Sequence, residues 1–220
     1  MTTSSLASGV FSVPNLVGYA ASLITGGQVV RQLVDAWRVP DPFGVSWLTW
    51  DLALIQSFGL LALSVSRGYA AGALVNAFVG VISILIIART LGTKRSSPLL
   101  WPALTVGATI AGCGTWLLVL GPTLTGTLGS VASAFVWVPQ AVLAVRFRSP
   151  VGLSWVFIAA GVVSSALWLT YAALISQWRF AVPPSSAIAS LIVTAVFALW
   201  TRTRKDQGTP QAAPGGSCRR

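Results

Sequence analysis

The stretch "FGVSWLTW", Phe43–Trp50, returns as "VGLSWVFI", Val151–Ile158. Gly44, Ser46 and Trp47 recur as Gly152, Ser154 and Trp155, each 108 residues further along the chain. Each copy opens an apolar run directly after a basic loop. So short a motif recurs by chance in an apolar alphabet, but its agreement with loops and charge marks an internal repeat. Upstream, "GGQVVRQLV" (Gly26–Val34) parallels "VPQAVLAV" (Val138–Val145), setting Gly27 against Pro139 and Gln28 against Gln140.

A soluble domain carries about a quarter charged residues. This chain of 220 residues carries 8%, with 55% apolar residues and a mean hydropathy of +0.79. Apolar stretches of the roughly 20 residues needed to cross a bilayer recur along its whole length. We read seven spans, at about 10–30, 45–65, 69–88, 98–120, 123–145, 151–175 and 180–200. The basic residues orient them. The N-terminus and loops two, four and six hold only Arg67 and Arg179, two residues. The other loops and the tail hold the remaining twelve of the 14 Lys and Arg. Basic flanks stay on the cytoplasmic side, so the N-terminus is expected outside and the C-terminus inside.

The missing residues exclude much. There is no His and no Glu, and the four acids are Asp35, Asp41, Asp51 and Asp206. A hydrolase triad or a metal centre lacks its usual groups. A retinal-binding protein would need a lysine in the last span, which has none. We therefore expect no enzyme, no cofactor and no metal. The net charge of +10 is spread over helix ends rather than gathered on one face, so no nucleic-acid partner is expected. The N-terminus lacks the basic start of a cleaved signal. Cys113 in a span and Cys218 in the tail are too far apart to pair. The polar, Pro/Gly-rich segment 204–220 reads as a disordered cytoplasmic tail.

Three spans per repeat is an odd number, so a direct repeat would emerge inverted without a further crossing. The fourth span restores the orientation. The expected fold is all-α, with seven transmembrane helices in a 3+1+3 arrangement: a first bundle in 1–92, a linker helix in 93–121 and a second bundle in 122–203. Parallel repeats of this kind place a solute between the halves near mid-membrane.

The Pro139-Gln140 pair, the two G-[VL]-S-W starts, the 3+1+3 order and the outside N-terminus resemble the PQ-loop superfamily. The likeness is greatest to its SWEET (MtN3/saliva) sugar transporters and runs from about residue 10 to 203. It implies a transporter that alternates access to a mono- or disaccharide without strong ion coupling. The family has a proline in the first two helices of each bundle. Here only Pro139 stands, with Gly27, Thr49 and Phe157 at the other places. The family's third-helix asparagine falls on Asn76, with Ser185 as its counterpart. The family's tryptophan falls on Trp168, and Leu60 takes the matching place without a ring. Relatives with this architecture also include proton-coupled amino-acid exporters and non-transporting receptors or assembly factors, which stay open as alternatives.

The residues support specific roles. Pro139 frees the carbonyl of Phe135 and softens its helix, while Gln140 can re-satisfy the freed group; Gly27 and Gln28 supply pliancy in the first bundle. Asn76 lies near mid-depth, where an amide needs a partner, either a solute hydroxyl or another helix. Gln56 and Ser164, one turn before Leu60 and Trp168, are expected to face the same cavity. Trp168 is either a stacking surface or an interfacial anchor. Asp51, two turns inside its span, is a candidate for proton coupling or for an ion pair with Arg31 or Arg38. The partners implied are a small-molecule substrate, a sugar above all, and the lipid bilayer, with room for a homo-oligomer. The Ala/Val/Gly-rich, Arg-over-Lys composition points to a bacterial inner membrane.

Overall fold

The computed structural model describes residues 12–38, 46–94, 99–139 and 155–193, with 142 and 196. Everything described is helix or tight turn: α1 Val13–Arg38, α2 Trp47–Arg67, α3 Ala70–Lys94, α4 Leu100–Phe135, α5 Trp155–Leu174 and α6, residues 182–193. A single 3-10 turn, Trp178–Phe180, precedes α6. In α2, α3 and α4 the helices are long and apolar enough to cross a membrane.

The repeated motif is a helix start. Ser46 is extended and N-caps α2, its hydroxyl accepting from the Thr49 amide at 3.4 Å, which satisfies one of the free donors of the first turn. α2 begins at Trp47 and α5 at Trp155, the same place in each copy. α2 ends at Gly68, whose φ of 71° is left-handed and whose amide closes the last turn on Val65. Only glycine takes that conformation without strain.

α4 is two helices joined at a corner. At about 1.5 Å per residue, 36 residues of straight helix would be about 54 Å long, far beyond a hydrocarbon core of about 30 Å. Gly121, with φ 74° and ψ 172°, breaks it, and Pro122 starts the next stretch. Before the break the Thr109 hydroxyl reaches Asp51. After it, Gly126 meets Leu63 and Gly129 meets Gly59, while Val136 joins the core around Trp50. The chain thus climbs beside α2, turns at Gly121 and descends beside α2 again. We call the two arms α4a (100–120) and α4b (122–135). Span one, expected to end near 30, continues as helix to Arg38 and carries Arg31 with it.

Helices approach to backbone contact at glycines. A Cβ on Gly59 would lie 2.6 Å from the Thr125 carbonyl and 2.9 Å from the Gly129 Cα, and one on Gly18 would lie 2.9 Å from the Tyr171 ring. One on Gly126 would lie 2.8 Å from the Leu63 Cβ. The last two contacts are the same contact 108 residues apart: Gly18 becomes Gly126, and Leu63 becomes Tyr171. With lipid outside as apolar as the side chains, such close packing is what holds membrane helices together.

Polar groups are mostly satisfied within their own helix. The hydroxyls of Ser64, Thr90, Thr125 and Ser130 each donate to the carbonyl four residues back, at 2.6–2.8 Å. An unpaired polar group away from water would cost several kcal/mol, roughly. Side-chain bonds between helices are therefore informative where they occur.

Two apolar clusters divide the interior. One joins Leu60, Leu63, Ala71, Tyr171, Ala172 and Phe180 from both repeats, near the Arg67 and Arg179 end. The other gathers Trp50, Leu54, Ile82, Ile86 and Leu91 with Val136, toward the Arg38 end.

The glycine seams give a direct test. Gly59→Ala should lower stability by about 1–3 kcal/mol through overpacking. Gly107→Ala, where nothing lies within 4 Å of the added carbon, should be neutral or stabilising, because alanine is the better helix former. Thermal unfolding in detergent separates the two; equal midpoints would refute the backbone contact.

Candidate functional site

Between the two apolar clusters lies a cavity of about 180 Å3, lined by all six helices and by Phe180 of the 3-10 turn. At roughly 10–15 Å3 per water it holds on the order of a dozen waters or one small solute. Its end toward Arg179 is closed by aromatic rings meeting edge to face. Trp168 and Tyr171 stand 5.3 Å apart, Tyr171 and Phe180 5.8 Å, and Phe180 and Tyr69 5.9 Å. Tyr171 is fully buried among them.

The wall is polar without being charged. Thr25, Gln28 and Gln32 face it from α1, Thr49 and Gln56 from α2, Asn76 from α3, and Ser164, Ser165 and Trp168 from α5. No acid or base lines it among the described residues. Thr25 is the junction of the two halves. Its hydroxyl lies 2.8 Å from that of Ser164 and accepts from the Trp168 indole N–H at 3.0 Å. Asn76, buried, donates its amide to the Gly72 carbonyl at 2.8 Å, which leaves its oxygen and one N–H uncommitted by that bond.

The spacing of 108 residues organises the wall. Gln28 and Val136 both line it, as do Val29 and Trp137, and Ala53 and Gly161. The same holds for Gln56 and Ser164, Leu60 and Trp168, Asn76 and Pro184, and Val79 and Ala187. This spacing revises two sequence expectations. The counterpart of Asn76 is Pro184, which is buried against the cavity, whereas Ser185 is exposed and lies off it. Proline residues at 183 and 184 shift the apparent register by one residue, and a helix turns each successive side chain by about 100°. In the first span, Gly27 and Gln28 stand one turn away from the places that match Pro139 and Gln140, since 139 minus 108 is 31.

The remaining expectations fall as follows. Asn76, Trp168, Gln56, Ser164 and Leu60 come together on one cavity. Gly27 faces open space, and Gln28 lies across from Gly161, its amide nitrogen 3.4 Å from where a Cβ there would sit. Gln140 lies outside the described residues. α4 ends at Phe135, with Val136 and Trp137 in a turn before Pro139, the place where a proline removes a donor. Asp51 does not line the cavity and accepts instead from Thr109 of α4a at 2.7 Å. Arg31, one of its expected partners, pairs with Asp35 at 3.8 Å.

The fold is SWEET-like. The structure matches that of a eukaryotic SWEET transporter, solved at 3.7 Å, with a TM-score of 0.66 and 11% sequence identity over 87% of this chain and 100% of the other. No family model and no curated protein matches the sequence. At this identity the likeness is one of fold, and the cavity above supplies the chemistry.

Sequence reasoning missed Thr25, Gln32, Gly161 and Trp137. The first two were detectable: Thr25, Gln28 and Gln32 recur at spacings of three and four, a polar stripe on an apolar helix.

Thr25→Val should leave the buried indole N–H of Trp168 without its acceptor, at a cost of about 1–3 kcal/mol. Denaturation in detergent measures this, and an unchanged midpoint would contradict the Thr25 junction. Thr25→Ser, which keeps the hydroxyl, should restore most of the loss.

Proposed function

We propose that the chain is a seven-span transporter of the SWEET branch of the PQ-loop superfamily, built from two parallel three-helix repeats and a linker helix. It moves a neutral polar solute, a mono- or disaccharide, by alternating access. The observation that carries this reading is the uncharged polar cavity whose wall residues pair at one repeat spacing between the halves. Supporting it are the SWEET-like fold and the three long apolar helices. The twelve-to-two split of basic residues supports an outside N-terminus and, with the composition, a bacterial inner membrane.

Within the site, Asn76 and Gln56 bind hydroxyls, Ser164 and Thr25 carry the contact between halves, and Trp168 offers its ring. Leu60 and Trp168 border the closed end, so the captured conformation is sealed by the aromatic cluster. The break before Pro139 is the joint on which the second half moves, with Gly27 easing α1. Asp51 holds the linker helix through Thr109 and stands outside the transport path. Catalysis has no candidate group in such a site.

Counterflow of labelled glucose, sucrose and amino acids in proteoliposomes tests this. Sugar flux should be independent of an imposed pH gradient, reduced about tenfold or more by Asn76→Ala and unaffected by Asp51→Asn. Amino-acid flux that needs the gradient and disappears in Asp51→Asn would identify a proton-coupled exporter instead.

A further inference from the structure

The repeat spacing shows that the two halves contribute different chemistry to one wall. Where the first half presents Gln28, the second presents Val136; where the first presents Val29, the second presents Trp137. Leu60 is answered by Trp168, and Asn76 by Pro184. The first half thus carries the amides and the second carries the rings.

Each group's remaining capacity follows from its partners. An amide both donates and accepts, as does a hydroxyl, so amides match a polyol whichever way its hydroxyls turn. The Trp168 indole N–H is committed to Thr25 at 3.0 Å. The ring itself is fixed edge to face against Tyr171. Trp168 therefore has only apolar ring surface to offer. Pro184 has no N–H at all. With no acid or base on the wall among the described residues, a charged solute would lose its hydration without compensation.

We propose that the halves divide recognition. Gln28, Gln56 and Asn76 of the first half read hydroxyls along one edge of the solute. Trp137, Trp168 and Pro184 of the second half pack against its carbon face. The solute is a neutral ring polyol such as a pyranose, bound in one orientation. An open-chain polyol offers the same hydroxyls but no flat carbon face. This inference rests on the transport reading above and adds to it which half sees which side of the solute.

The test uses the full chain in proteoliposomes, with labelled D-glucose counterflow competed by glucose, sorbitol and the 2-, 3- and 4-deoxyglucoses. In wild type, glucose should compete about tenfold better than sorbitol, and at least one deoxyglucose should lose a similar factor. Gln56→Leu or Asn76→Leu should abolish one deoxy penalty and keep the glucose-over-sorbitol preference. Trp168→Ala should erase that preference and keep the deoxy penalties, while Trp168→Phe should recover part of it. Gln28→Leu provides a second amide variant, and Trp168→Phe a second ring variant, should another misfold. Equal competition by glucose and sorbitol in active wild-type liposomes would overturn the division and leave sugar transport standing. So would variants of both halves that shift the two readouts together. Wild-type liposomes that pass no sugar would instead remove the transport reading and this one with it.

Discussion

Backbone-close contact at a few glycines holds the two halves together. Gly18 against Tyr171 and Gly126 against Leu63 are one contact made twice, and Gly59 against Gly129 brings α2 and α4b within 3.0 Å at the backbone. In lipid there is little hydrophobic gain from covering one apolar helix with another, so association depends on fit. A methyl group at any of these points would push the pair apart. The cavity exists because the seams fix the halves near the Arg179 end while longer side chains keep them separate beyond it.

The same economy governs the polar groups. Most hydroxyls bond within their own helix and so do nothing for tertiary structure. The exceptions are few: Thr25 with Ser164 and Trp168, Thr109 with Asp51, and Arg179 with Thr127 at 2.7 Å. The first spans the halves beside the cavity. The second fastens α4a to α2. The third holds the turn after α5 onto α4b. Each therefore ties together two segments that would otherwise meet only through apolar surface.

Much of this was legible in the sequence because membrane folding leaves few choices. Apolar length, basic asymmetry and the G-x-S-W starts led to an all-helical array and to the places where α2 and α5 begin. Asn76, Gln56, Ser164, Leu60 and Trp168 follow from one rule, the repeat spacing. What failed was register over short distances. Ser185 was preferred to Pro184 because a serine looks more like a ligand than a proline does, although counting 108 from Asn76 reaches the proline. Asp51 was given an arginine partner because charge attracts attention; in fact Arg31 is engaged by Asp35 one turn along its own helix. The hydroxyl of Thr109 carries no charge to advertise it, and nothing in its local sequence marks it as the acid's neighbour.

The Gly121 corner has a mechanical consequence. Thr109 secures the ascending arm to α2, and the glycine contacts set the descending arm against the same helix from the other repeat. Covalent continuity between these bodies passes through one residue at φ 74° and ψ 172°, a region essentially closed to any side chain, followed by a proline that restricts the next step. Any tilt of one body against the other is thus borne by a single stiff elbow, which permits rotation about its own bonds and little slack for separation.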